Sequence, residues 1–173
     1  MERIFAPWRI RYILSEKPKF CIFCEYPKQK NDKENLILFR GKKNFIIMNR
    51  NPYNPGHLMV CPYRHIASTE DLEEDEMLEA FNLINLSIKI IKISMSPDGF
   101  NVGINLGKVA GAGIADHLHI HVVPRWSGDT SFMPILADVQ IVSEALEETY
   151  EKLKKKVDEI TQQLLQNRIY AKL

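Results

Sequence analysis

The sequence predicts an α+β fold: an antiparallel sheet of about five strands, one long helix packed on it, and a C-terminal helix. Three observations carry this. Apolar runs of strand length come in neighbouring pairs separated by short turns, the mark of hairpins. A single long stretch between the strands changes to helical period. Strands and helices do not alternate, so a parallel βαβ sheet is not indicated. The length suits a single domain over residues 1–173, with a core at about 20–135, an N-terminal arm at 1–19 and the C-terminal helix at about 138–170.

In chain order, residues 1–20 mix basic and aromatic side chains and end in "SEKPK". The polar stretch "PKQKNDKEN", residues 27–35, reads as a loop. "LILFRGKKNFIIMN" holds two strand-like runs around a Gly-Lys-Lys turn, and "NRNPYNPGH" is turn chemistry. "HLMVCPYR" is another strand, stopped near Pro62. Beyond Ser68, Met77, Phe81, Ile84, Ile88, Ile91 and Met95 recur at steps of four and three, which predicts one buried helix face. Glu70, Asp71, Glu73, Glu74 and Asp75 lie at its start, where carboxylates favour the helix dipole. Pro97, Asp98 and Gly99 end it. "FNVGINL" is a strand, "GKVAGAG" a glycine-rich loop, and "DHLHIHVVPRW" a strand ended by Pro124. Val142, Leu146, Tyr150, Leu153, Val157, Ile160 and Leu164 stripe the last helix. A seat on a partner subunit and a projecting arm both remain open for it.

Bulk composition narrows the class. A hydrophobic content of 45% supports a real core, and a net charge of +1 gives no whole-chain case for nucleic acid. No apolar run is long enough to span a membrane, and the N-terminus lacks a signal-peptide core, so a cytoplasmic location is expected. An odd count of 3 cysteines argues against a disulfide framework. Cys61, in an apolar run, reads as an inert core residue. Cys21 and Cys24 form C-x-x-C, the spacing of a metal or redox pair.

The chain has 5 histidines, all in two short stretches: His57 and His65, and His117, His119 and His121. Strand alternation puts the last three on one face and sends Leu118, Ile120 and Val122 to the core. Three readings compete: a metal site with all three as ligands, a catalytic set around one nucleophilic imidazole, or a satisfied polar cluster. The adjoining glycine-rich loop lets backbone approach an anion closely. That favours phosphate beside an imidazole that is mostly neutral at pH 7 and needs no strong base to attack.

These residues resemble the histidine triad (HIT) superfamily of nucleotidyl hydrolases and transferases. Its His-φ-His-φ-His-φ-φ signature reads here His117-Leu118-His119-Ile120-His121-Val122-Val123. "MNRNPYNPGHLMVCPYRH" resembles the Fhit-like branch, and "GKVAGAGIADHLHIHVVPRWSGD" with "FAPWRIRYI" resembles the bacterial diadenosine tetraphosphate phosphorylase-like group. The resemblance spans roughly residues 5 to 135. It implies the HIT fold and an enzyme cleaving dinucleoside polyphosphates, diadenosine tetraphosphate foremost, with phosphorolysis slightly favoured over hydrolysis. It implies His119 as nucleophile and His121 as phosphate contact and leaving-oxygen partner. His57 and His117 would support them, Asn49 would meet the ribose, and Asn105, Gly111 and Gly113 would hold phosphate. It also implies a structural zinc on Cys21, Cys24, His65 and His117, a homodimer with a sheet continued across the interface, and a place for substrate-bound magnesium. Trp8, Trp126 and Arg125 are candidates to line the nucleotide site. Two other functions are weighed beside this one: a non-catalytic purine-nucleotide binding module, and a hydrolase of nucleoside phosphoramidates.

Overall fold

Five short runs rich in β-branched and aromatic residues pair into one fully antiparallel sheet of order β1-β2-β3-β5-β4. They are β1 (Ile37–Arg40), β2 (Asn44–Met48), β3 (Leu58–Pro62), β4 (Gly99–Ile104) and β5 (Ile120–Arg125). The computed structural model describes residues 20–127, 129 and 145–166. The arm at 1–19, with Trp8, and the proposed start of the last helix at 138–144 lie outside these residues. Among the described residues three α-helices accompany the sheet: α1 (Ile22–Glu25), α2 (Glu74–Met95) and α3 (Leu146–Gln166). No helix among the described residues is long and apolar enough to cross a membrane.

The Gly-Lys-Lys turn joins β1 and β2 as expected, and it is held from outside. The Glu79 carboxylate accepts the N–H groups of Lys42, Lys43 and Asn44 at 2.6–2.7 Å. Glu76 lies fully inside, bridged by two oxygens to the Arg64 guanidinium and closing a capping box with Glu73. These two carboxylates set the rotation of α2. Its buried face is therefore Glu76, Ala80, Leu83, Ile84, Ser87, Ile90 and Ile91. The predicted stripe is corrected here: Met77 and Phe81 are 44% and 63% exposed, while Ile84 and Ile91 are buried. The acidic cluster also divides. Helix α2 begins at Glu74, and Glu70 and Asp71 form a separate 3-10 turn, Thr69–Asp71.

The last helix packs on its own chain, against β1 and α2. Tyr150, Leu153, Val157 and Ile160 enter the core, and the Tyr150 hydroxyl donates to the Ile37 carbonyl at 3.1 Å. The core also takes Cys61, a free thiol whose burial raises its pKa, in line with an inert role.

Candidate active site

The expected histidine strand is shorter than its sequence pattern. Strand β5 starts at Ile120, so His117 and His119 precede it, and it runs through Pro124 rather than stopping there. The reason lies in the partner strand. Pro62 ends β3, which pairs with β5 only as far as Val60↔Ile120. The chain before β5 bonds elsewhere, with the Leu118 N–H donating to the Ile66 carbonyl at 2.6 Å. Pro124 faces β4 opposite Phe100, beyond the end of the β3 pairing, and its carbonyl accepts from the Asn54 amide at 3.0 Å. Leu118, Ile120 and Val122 are buried as expected, but burial does not alternate, because His117 and His119 between them are buried too.

The imidazoles form a row of touching rings. His65 to His117, His119 to His121, and His121 to His57 are 4.9–5.2 Å between centroids. Phe23 of α1 lies against both His117 and His119, at 5.4 and 5.1 Å. Tyr53 stacks on His57 at 4.9 Å. Burial lowers the pKa of His57 to about 3, of His117 and His121 to about 4, and of His119 below its ordinary value. All four are neutral at pH 7, so each carries its proton on a single nitrogen.

Hydrogen bonds decide which nitrogen that is. The His119 Nδ1–H donates to the His117 carbonyl at 2.8 Å, leaving Nε2 with its lone pair. His57 Nδ1 accepts the Tyr53 backbone N–H at 3.1 Å, so its proton is on Nε2 and donates to His121 Nδ1 at 2.9 Å. His121 therefore keeps its own proton on Nε2. That atom is buried and has no partner among the described residues. The pair thus offers one lone pair, on His119, beside one N–H donor, on His121.

A cavity of about 490 Å³ opens at His121. Tyr53, Asn101, Gly103, Asn105, Gly111 and Arg125 are among the residues that line it. Gly111 has φ +91°, a conformation that favours glycine, and ends the 3-10 turn Lys108–Ala110. Its own N–H is donated to the Lys108 carbonyl, so it shapes the cavity by lacking a side chain. Gly113 lies two residues further along this loop and Asn49 behind His57, with its amide 3.4 Å from His57 Nδ1. Neither is among the residues lining the cavity. Trp126 is half-buried next to Arg125.

His117 faces the other way. Its Nε2–H donates to the Pro62 carbonyl at 2.9 Å, which turns the Nδ1 lone pair toward Cys21 Sγ (3.3 Å), Cys24 Sγ (3.5 Å) and His65 Nδ1 (3.2 Å). Cys24 Sγ is 3.3 Å from His65 Nδ1. All four ligand atoms lie within 4.8 Å of one another. The corners of a tetrahedron around zinc, with bonds of about 2.0–2.3 Å, are roughly 3.3–3.8 Å apart, so the cluster fits a Cys₂His₂ ion. Burial and Cys21 push the Cys24 thiol up to about 11, and a cation is what would make it a thiolate. The alternative ligand set of His117, His119 and His121 fails. His119 is turned onto a carbonyl, and among the described residues only the Cys/His group converges.

The HIT domain profile matches residues 30–128. The chain belongs to the HIT domain family. Within it, the chain is 40% identical over 158 residues to an AP-4-A phosphorylase of Mycobacterium tuberculosis, covering 86% of this chain and 80% of that protein. It is 27% identical over 128 residues to a bis(5'-adenosyl)-triphosphatase of Dictyostelium discoideum, covering 74% and 85%. Among solved structures, a histidine triad nucleotide-binding protein from Sulfolobus tokodaii matches with TM-score 0.65 and 28% identity, over 83% of this chain and 93% of that one. A zinc-bound histidine triad family protein from Mycobacterium smegmatis has the same fold, with TM-score 0.66 and 24% identity over 82% and 96%.

Several residues of this chain carry the site without a motif of their own. Phe23, Tyr53, Asn54, Pro62 and Gly103 orient or border the histidines through contacts that no spacing announces. Tyr53 had one available signal, its place inside the turn that ends in His57.

Proposed function

We propose that this chain is a nucleotidyl transferase that cleaves dinucleoside polyphosphates, diadenosine tetraphosphate foremost, through a covalent nucleotidyl-histidine on His119. The observation that carries it is the pairing of a free Nε2 lone pair on His119 with an unpartnered Nε2–H on His121. Likeness to an AP-4-A phosphorylase and to bis(5'-adenosyl)-triphosphatases supplies the substrate class.

His119 Nε2 attacks the α-phosphorus. A nitrogen–phosphorus bond forms, the bond to the bridging oxygen breaks, and its electron pair leaves with the nucleoside polyphosphate. The positive charge that develops on the ring is eased by the Nδ1–H bond to the His117 carbonyl. His121 Nε2–H donates a hydrogen bond to the bridging oxygen, and the leaving polyphosphate departs as an anion, so no proton need be transferred. His57 holds the His121 proton on the side that faces the phosphate. Asn105 contacts phosphate, and Asn49, Gly113 and the rest of the loop serve the ribose and phosphate oxygens. Magnesium travelling with the substrate would neutralise part of its charge.

Phosphate is favoured over water as acceptor. An anionic phosphate oxygen attacks without a base, whereas water must lose a proton. His121 and His57 present no lone pair to the cavity, because both Nδ1 atoms are occupied and both Nε2 atoms carry hydrogen. The same reading includes a structural zinc on Cys21, Cys24, His65 and His117, anchoring the segment that leads into His119. It also includes a homodimer formed through β4, one of the two edge strands, where Val102 is 47% and Ile104 37% exposed. A reducing, cytoplasmic setting fits the free thiols.

Incubation with diadenosine tetraphosphate, with and without inorganic phosphate, tests the function. ADP plus ATP only with phosphate is expected, and His119→Ala should lose about 10³-fold or more in kcat/KM. AMP plus ATP regardless of phosphate would make the chain a hydrolase. No turnover by the unaltered protein would overturn the proposal in favour of a nucleotide-binding module or a phosphoramidate substrate.

A further inference from the structure

The cavity extends well past the reacting atoms. It includes His121 but not His119, and it continues along β4 and β5 as far as Arg125. Cross-strand pairing sets what faces it. Gly103 stands opposite His121, Asn101 opposite Val123, and Gly99 opposite Arg125. These positions share one sheet face, since directly paired residues point the same way. From His121 to Arg125 is four residues of strand, roughly 13 Å. Gly103 leaves the path clear beside His121, where it begins: a Cβ there would meet nothing within 4 Å. Polar groups stand at both ends, His121 Nε2–H and Asn105 at one, Asn101 and Arg125 at the other.

Arg125 is held in place rather than swinging free. Its Nε and one terminal nitrogen fork onto Asp129 at 2.6 and 2.8 Å, and the other donates to Asn101 Oδ1 at 2.9 Å. Of the five N–H groups of a guanidinium, two remain for a ligand. The Asp129 carboxylate offsets the charge, so recognition there rests on aimed donors rather than net charge.

An in-line displacement puts nucleophile and leaving group on opposite sides of the phosphorus. His119 is the nucleophile and the cavity lies beyond His121, so it lies on the leaving side. Its volume, about 490 Å³, is within the range of a small-molecule site. Resting on the proposed function, we infer that this cavity seats the departing nucleoside polyphosphate, its phosphates passing over Gly103 to Arg125, which selects for a long phosphate chain. Neither residue takes part in bond making; both position the leaving group.

The test compares two substrates that give the same nucleotidyl-enzyme: diadenosine tetraphosphate, and the p-nitrophenyl ester of AMP, whose leaving group carries no phosphate. The readout is the ratio of their kcat/KM values in the full-length protein. General damage to the fold lowers both and cancels. In Gly103→Leu and in Arg125→Gln the ratio is expected to fall at least tenfold against unaltered protein. A ratio within twofold of the unaltered value in both variants would overturn the inference. If the unaltered protein turns over neither substrate, the function itself fails and takes this subsite with it. That outcome is distinct from an active enzyme whose ratio does not move.

Discussion

The chemistry of single residues here is set by what each imidazole is bonded to. His119, His121 and His57 have the same side chain, yet His119 offers a lone pair on Nε2 where His121 and His57 each offer an N–H. Backbone groups decide this: the His117 carbonyl fixes His119, and the Tyr53 N–H fixes His57 and, through it, His121. Holding these rings neutral has a cost in acid. His57 is lowered to about 3 and His121 to about 4, mainly by burial, from an ordinary 6.5. Below pH 6.5 the unfolded chain takes up protons that the folded one refuses. Stability is therefore complete above about 6.5 and lost progressively as pH falls toward about 3. Urea midpoints at pH 7.5 and pH 5 should differ, the acid one lower, and His57→Gln should flatten the slope. Equal midpoints would contradict this account.

At the scale of elements, two carboxylates and one helix stand out. Glu76 and Glu79 tie the start of α2 to Arg64 and to the β1–β2 turn, and so choose which side of the helix meets the sheet. A count of apolar residues along α2 does not reveal that choice, because isoleucine, leucine and phenylalanine lie on more than one side. Helix α3 is a full member of the core. Leu153 is 0% exposed, so Leu153→Ala should cost about 2–5 kcal/mol in denaturant unfolding. Tyr150→Phe removes only the bond to Ile37 and should cost about 0.5–1.5 kcal/mol. Near-neutral values for both would mean that α3 is not docked on β1.

For the whole molecule, the Cys/His cluster joins α1, the loop after β3 and the segment before β5. Cys21 and His117 meet across 96 residues. An ion there would close long loops and fix the register of the segment that leads into His119. Protein purified without added metal should carry about one zinc per chain. A strong chelator, or Cys24→Ser, should lower Tm by more than about 5 °C. Sub-stoichiometric metal with an unchanged Tm would remove zinc from the account. Sedimentation at micromolar concentration tests the dimer, and a monomer would show that the β4 edge is not used between copies.

The sequence by itself determined the fold class, the run of strands and the identity of the chemical groups. Local period and turn residues carry hairpins, and three histidines at alternate positions beside a glycine loop are hard to explain as packing. It also determined the side-chain types of the Cys/His cluster, since thiols spaced C-x-x-C point to metal or redox chemistry. Only the tertiary structure decided where α3 rests, which side of α2 is buried, that His117 faces the cysteines while His121 faces a cavity, and that this cavity runs from His121 to Arg125. Each of these depends on contacts between residues far apart in the chain, where packing and hydrogen-bond direction act and local spacing carries no information.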